Sequence, residues 1–325
     1  MNQEAFKINK YILENKFDDL IELSEMVHKN QYEMLLRLIQ AANSSDNNEP
    51  FVAAVLVTGP SSSGKTTFSN VLEKKLDALG FNCTVISIDN YYYGRDEIIK
   101  NQIARGDIPA EGESYDFECL EAFNVEFFRE QMSAYARGEE IELPYYDFTI
   151  GKMLMSGKKI KAEGKDILIV EGIQAMNPAM CDNLGFTRTF KVYICPFNVY
   201  AADGGEDVIP SNQVRFMRRT IRDFAKRDSS MGYTMYLWPA VRAGEEKYIK
   251  PMKKYADFFF NSSLPYEIPF LKKRIFELRE TLTDEEKEIM GKYVNMEALE
   301  HFLPYSGFEI PEDSIFNEFY HDSKN

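Results

Sequence analysis

Between the apolar run "FVAAVLV" at 51–57 and a helical stretch from residue 65 lies "TGPSSSGKTT", where Gly59 is followed, after four intervening residues, by Gly64, Lys65 and Thr66. A GxxxxGK[ST] loop that follows a strand and opens a helix constrains the fold more than any other stretch, because strand, loop and helix must form one unit. The glycines let the backbone turn tightly and aim its N–H groups inward, and the helix N-terminus adds the positive end of a dipole. The loop therefore predicts a cradle for a nucleoside triphosphate, built by Gly59, Ser61, Ser62, Ser63, Gly64, Lys65, Thr66 and Thr67. Lys65 would reach the β- and γ-phosphates, and the Thr66 hydroxyl would ligate Mg²⁺. A plain Ser/Gly-rich turn with Ser63 or Thr66 capping the helix is the competing reading, outweighed because motif and context agree.

The rest of the chain supplies a setting for such a loop. "FVAAVLV", "CTVISI", "DILIVE" and "TFKVYIC" are mainly apolar without strict alternation, as strands buried on both faces of a parallel sheet are. They alternate with helical stretches such as 65–79 and 211–227, which predicts an α/β fold of P-loop NTPase type with a doubly wound, mostly parallel central sheet. Helical appendages are expected at both ends. Residues 17–42 carry Leu20, Ile21, Leu23, Met26, Leu35, Leu36 and Ile39 at helical spacing, and the polar "NSSDNNEP" at 43–50 reads as a linker. The expected domains are thus a helical appendage and linker over 1–50, a phosphate-loop domain over 51–275 and a helical extension over 276–325. The last of these reads as support, with its acidic tail "EIPEDSIFNEFYHDSKN" docked on its own core or on a neighbour, its own core being the first expectation.

Two carboxylates stand where chemistry would need them. Asp89 in "ISIDNYYYGRDE" falls where a strand tip meets a loop at the carboxyl edge of the sheet, the edge at which such folds bind ligands. There it could take a proton from an attacking hydroxyl and share the metal, although a turn cap is the plainer reading. Glu171 ends "DILIVE" at the same edge and is a candidate metal partner, or else a solvated strand-end acid. In "RFMRRTIRDFAKR" the residues Arg215, Arg218, Arg219, Arg222 and Lys226 recur at helical spacing, and Arg227 follows. A run like this is usually a solvated face. Beside a phosphate loop it predicts arginines that close over the donor and neutralise charge on the transferring group.

Taken together these stretches resemble the uridine–cytidine kinase family, which sits with phosphoribulokinases and pantothenate kinases among P-loop kinases of small molecules. The likeness covers roughly residues 51 to 265. It rests on "GPSSSGKTT", on Asp89 with Tyr92 three residues later, on "YDFECLEAF", on the hairpin "LPYYDFTIGK", on Glu171 to Ile173, and on "RRTIRDFAKR". The resemblance implies phosphorylation of a nucleoside 5′-hydroxyl, dependent on ATP and Mg²⁺. It implies that Asp89 is the base and, with Glu171, a group of the metal shell, and that Glu118, or its rival Asp116, binds the ribose hydroxyls. Arg219 would touch the ribose, Arg222 and Arg227 would hold ATP phosphates as a lid, and Tyr92, Tyr146 and Phe148 would line the nucleoside side. Tyr146 and Phe148 could equally be a packed hairpin pair.

The sequence departs from the family where the base is read. Gly151 stands where a histidine is expected, Ser229 where an arginine is expected, and an expected glutamine falls near Tyr236 or Leu237. A site rejects an analogue sharply only when its own polar groups would be left unpaired, so the choice of base is open. "MYLWPAVRAGEEKYIKPMKKYADFFFNSSLPYE" further resembles a bacterial branch that often carries N-terminal domains of threonyl-tRNA synthetase type, for which no counterpart is expected here.

Composition removes several other classes. A net charge of −14 argues against a protein whose main partner is a nucleic-acid backbone. The four cysteines are far apart with no CxxC pair, the three histidines are scattered, and no apolar run approaches the roughly 20 residues of a membrane helix. With no apolar signal segment in "MNQEAFKINKYILENKF", a cytoplasmic enzyme is expected, with a homo-oligomer left open. The lack of a guanine-reading NKxD makes a nucleotide switch a poor fit, and Asp89 speaks against a non-catalytic ATP-binding regulator.

Overall fold

The computed structural model describes residues 2–44, 50–106, 116–164, 166–205 and 207–320. The chain opens with β1 (Asn2–Glu4), α1 (Ala5–Leu13) and α2 (Phe17–Ala42), the last with the bounds that its apolar spacing predicts. One stripe of α2, including Leu20, Ile21, Leu35 and Ile39, is buried in the main core, while Leu23 and Met26 are exposed. His28, on the buried stripe, lies against Phe260 with ring centroids 5.2 Å apart, and burial pushes its pKa down to about 3. Residues 45–49 of the expected linker lie outside the described residues.

Next come β2 (Ala54–Thr58), α3 (Lys65–Asp77), β3 (Asn82–Ser87), α4 (Arg95–Arg105), α5 (Val125–Ala136) and a hairpin of β4 (Ile141–Asp147) and β5 (Lys152–Ile160). They are followed by β6 (Asp166–Glu171), α6 (Pro178–Cys181), β7 (Thr189–Cys195), β8 (Val199–Ala201), β9 (Val208–Ile209), α7 (Ser211–Lys226) and α8 (Met231–Gly244). Last are β10 (Phe258–Asn261), α9 (Glu267–Arg279), α10 (Asp284–Met290) and α11 (Met296–Glu300).

Five parallel strands make the central sheet in the order β10-β7-β2-β6-β3. Every residue of β2 and of β6 is buried. Alternate side chains of β2 enter different cores: Val55 and Val57 face one cluster with Phe68 and Leu72, Ala54 and Leu56 another with Tyr91 and Phe128. Apolar residues on both faces are what a sheet covered by helices on both sides demands. Because β2 lies between β6 and β7, the chain order reverses beside it, and a crevice opens beyond the carboxyl ends of the strands there. A small sheet, β1-β8-β9, ties the N-terminus to the segment before α7.

Residues 311–320 run along α3, with Glu312 and Asp313 beside Lys74 of its last turn and Ile315 against Gly64 at its N-cap. Ile315, Phe316 and Phe319 are fully buried, Phe316 packs edge-on against Tyr266 and Phe270, and the Ser314 and Tyr266 hydroxyls are 2.8 Å apart. Fully burying a large apolar side chain contributes about 1.5–3 kcal/mol, so three of them make this segment a fixed part of the core. The tail does dock on its own core as expected; its last residues, 321–325, lie outside the described residues.

Candidate active site

The phosphate loop leaves β2 at the switch point. A Cβ on Gly59 would collide with the Ile194 carbonyl oxygen of β7, so only glycine lets the loop leave the sheet so close to its neighbour. Gly64 has φ +93°, and a side chain there would collide with Ile315 as well as strain the backbone. No side chain caps α3, whose first turn holds Lys65, Thr66 and Thr67. Its N-terminal N–H groups are therefore left to what the loop encloses. The hydroxyls of Ser62 and Ser63 are buried with no partner among the described residues, and Lys65 Nζ donates to the Pro60 carbonyl at 3.2 Å. Buried hydroxyls left unpaired cost about 1–3 kcal/mol each, and an anion with several acceptor oxygens relieves that cost.

Acidic groups converge on the same edge. Thr66 Oγ1 donates to Glu171 Oε1 at 3.3 Å, which puts the hydroxyl and carboxylate assigned to the metal side by side. Burial, then the nearby charge of Asp89, raises the Glu171 pKa to about 7, with Lys65 acting against them. Asp89 follows β3 by two residues, and its strand is not the neighbour of the loop strand: β6, bearing Glu171, stands between them. The charge of Asp89 acts on Glu171, Glu118, Tyr92 and Arg227, so these groups share one neighbourhood. A hydroxyl and two carboxylates are hard oxygen donors and too few to close a cage. That suits Mg²⁺, which keeps water and phosphate oxygens in its shell.

Glu118 is buried, and Oε2 has no partner among the described residues. Burial raises its pKa to about 7, opposed by Arg219 and Lys65. Asp116, the rival, is occupied: its Oδ1 accepts from the Glu118 and Cys119 backbone N–H groups at 2.9 and 3.1 Å, making it the brace of the turn that presents Glu118. A Cβ on Gly244 would collide with Glu118 Cβ, so the end of α8 must be glycine for Glu118 to sit there. Nothing in the sequence signals that pairing.

The arginines of α7 divide by face. Arg218 is fully buried and bidentate on Glu267, at 2.6 and 2.9 Å, with a third bond to the Ser262 carbonyl. Arg215 pairs with Glu245 at 2.5 Å and donates to the Ser61 carbonyl at 3.1 Å. Arg219 Nη1 donates to Ser61 Oγ at 2.8 Å, reaching the loop itself. Arg219, Arg222 and Arg227 all lean on Asp223, at 3.3, 2.8 and 3.6 Å. Arg222 also meets Glu318 at 3.4 Å. The helix is thus no solvated face: Arg215 and Arg218 are anchored on buried glutamates, Arg215 and Arg219 touch the loop at Ser61, and Arg222 and Arg227 gather with Arg219 on Asp223. Helical spacing cannot separate these groups, because Glu245, Glu267 and Glu318 are far from them in sequence.

The hairpin closes the opposite side. Tyr146 is buried, with its ring edge-on to Tyr92 at 5.7 Å and to Phe148 at 5.0 Å. Phe148 is exposed, and the Arg227 guanidinium lies 4.9 Å from its ring centre. Tyr92 stacks on Phe123 and donates its hydroxyl to the Phe117 carbonyl at 3.0 Å. At Gly151, with φ +65°, the turn meets Arg95, whose backbone N–H bonds the Gly151 carbonyl and whose guanidinium bonds the Phe148 carbonyl. A pocket of about 440 Å³ opens there, bordered by Tyr92, Arg95, Asn124 and Gly151.

Residues 54–267 match the family model described as "Phosphoribulokinase / Uridine kinase family". The chain is 29% identical over 213 residues to the uridine kinase of Limosilactobacillus reuteri, covering 65% of this chain and 83% of that one. It is 30% identical over 203 residues to the uridine kinase of Macrococcus caseolyticus, covering 62% and 84%. A solved structure of a possible uridine kinase from Bacillus stearothermophilus aligns with a TM-score of 0.45 at 20% identity, over 71% of this chain and 98% of that one. With a phosphate loop at the switch point and two thirds of its length matched, the chain belongs to the phosphoribulokinase/uridine kinase family and is a phosphotransferase.

Proposed function

We propose that this phosphotransferase moves the γ-phosphate of ATP to the 5′-hydroxyl of a nucleoside of uridine or cytidine type, with Mg²⁺. The observation that carries the reading is the convergence of loop, Asp89, Glu171 and α7 arginines at one sheet edge, joined to the uridine kinase relatives. Thr66, Asp89 and Glu171 would hold Mg²⁺, which would supply neutralisation of phosphate charge. The loop N–H groups and Lys65 hold the β- and γ-phosphates. Asp89 accepts the proton of the attacking hydroxyl, and Glu118 together with Arg219 orients the ribose. Arg222 and Arg227 stabilise charge spread over the transferring group. Positioning and electrostatics supply most of the acceleration in such a site. Tyr92, Tyr146 and Phe148 form the aromatic wall for the base.

One observation favours a second reading, transfer to another small alcohol such as a sugar phosphate or pantothenate. Gly151 and Ser229 lack base-reading side chains, and Arg95 fills the space beside Gly151. Measuring ADP release by the purified protein across ribonucleosides, deoxyribonucleosides, sugar phosphates and pantothenate separates the two. Release that depends on uridine or cytidine is expected. Release only with a sugar phosphate or pantothenate contradicts the nucleoside assignment, and no acceptor dependence favours a non-catalytic ATP-binding regulator.

A further inference from the structure

Glu318 lies 96 residues beyond Arg222 and outside the span 54–267 that matches the family. Its Oε1 accepts from Arg222 Nη1 at 3.4 Å, while Arg222 Nε and Nη2 meet Asp223 Oδ1 at 2.9 and 2.8 Å. A guanidinium carries five N–H bonds in a fixed fork. Hydrogen bonds draw on Nε–H and on one N–H of Nη1, with Nη2 in ion-pair contact with Asp223, so both terminal nitrogens keep a donor that a phosphate can take. Two carboxylates, Asp223 and Glu318, thus hold the guanidinium.

The segment that delivers Glu318 is anchored at several points along the same face of α7. Lys226 Nζ donates to the Glu318 carbonyl at 3.3 Å, and the Arg218 guanidinium lies 4.9 Å from the Phe319 ring centre. Ile315 presses on Gly64 of the phosphate loop. With Ile315, Phe316 and Phe319 fully buried, the carboxylate belongs to a permanent wall and not to a flap that a nucleotide would push aside. Packing alone does not call for an acid here. Glu318 Oε2 is buried with no partner among the described residues, so an apolar side chain would be the better filler.

We propose that Glu318 is a positioning residue for Arg222, and that the C-terminal extension thereby completes the phosphate site of the matched domain. The proposal rests on the assignment of Arg222 to the ATP phosphates. Its test is a double-mutant cycle in the full chain, reading kcat, acceptor KM, and the Kd of a non-hydrolysable ATP analogue by calorimetry. Arg222→Ala should lower kcat and weaken the analogue. Glu318→Ala should lower kcat about 10-fold and weaken the analogue about 5-fold with acceptor KM unchanged, and should add nothing in the Arg222→Ala background. Glu318→Gln, which keeps an acceptor oxygen, should restore part of both losses; if Glu318→Ala does not fold, Glu318→Gln carries the same cycle. A gain in kcat or affinity would show a carboxylate competing with phosphate, and an equal loss in both backgrounds would show a structural role. Either outcome overturns the proposal, as does an unchanged Glu318→Ala beside an impaired Arg222→Ala. An unchanged Arg222→Ala instead removes the phosphate assignment of that arginine, and this inference with it.

Discussion

Replacing Glu267 by alanine tests whether α7 is anchored as described. Arg218 and Glu267 are both fully buried, and the guanidinium makes three bonds, two to the carboxylate and one to the Ser262 carbonyl. Removing the carboxylate leaves a buried cation without its counter-charge, a loss of about 3–5 kcal/mol. At about 2 °C per kcal/mol for a large domain, the melting midpoint should fall by roughly 6–10 °C. Glu267 Oε1 also accepts from the Leu264 N–H at 3.1 Å. The apolar pair Arg218→Met with Glu267→Leu should therefore recover only part of the loss. It removes the stranded charge, but leaves the Leu264 N–H and the Ser262 carbonyl short of a partner, at about 1–3 kcal/mol each. Differential scanning calorimetry of wild type, Glu267→Ala and the double variant checks the order. A fall below about 2 °C for Glu267→Ala, or a double variant less stable than the single one, would refute the reasoning.

Three further outcomes follow from the geometry. Gly59→Ala should destabilise the loop and weaken ATP binding at least about 10-fold, because the added methyl meets backbone that cannot swing away; calorimetric titration checks it. Lys65→Ala should weaken both ATP affinity and turnover, and normal affinity in the same titration would contradict the phosphate cradle. His28 has a folded pKa of about 3 against about 6.5 when unfolded, so its contribution is complete above pH 6.5 and is lost as pH falls. Between pH 6.5 and 5 wild type should lose about 2 kcal/mol relative to His28→Leu by urea unfolding, because the opposite slopes from Glu118 and Glu171, with pKa values of about 7, are common to both proteins.

Much of this arrangement is legible in the sequence, for reasons that differ by element. β6 and β7 have the bounds of their apolar runs because both faces are buried, and α2 runs over the residues its spacing predicts. The phosphate loop is legible because its glycines answer local demands, at Gly59 the approach of β7 and at Gly64 a positive φ. Strand order is not legible, and so Glu171, rather than Asp89, comes from the strand beside the loop strand. The sorting of the α7 arginines is equally hidden: Arg218 and Arg222 share a stripe, yet one meets a buried Glu267 and the other Asp223 and Glu318. The C-terminal extension reads from its composition as support alone, whereas the structure carries Glu318 to Arg222.

The central claim, that Asp89 stands at the loop as the base for phosphoryl transfer, is tested most directly by Asp89→Asn. Measured as acceptor-dependent ADP release alongside ATP titration, turnover should fall about 10²-fold or more while ATP binding stays nearly intact. Unchanged turnover would contradict the claim.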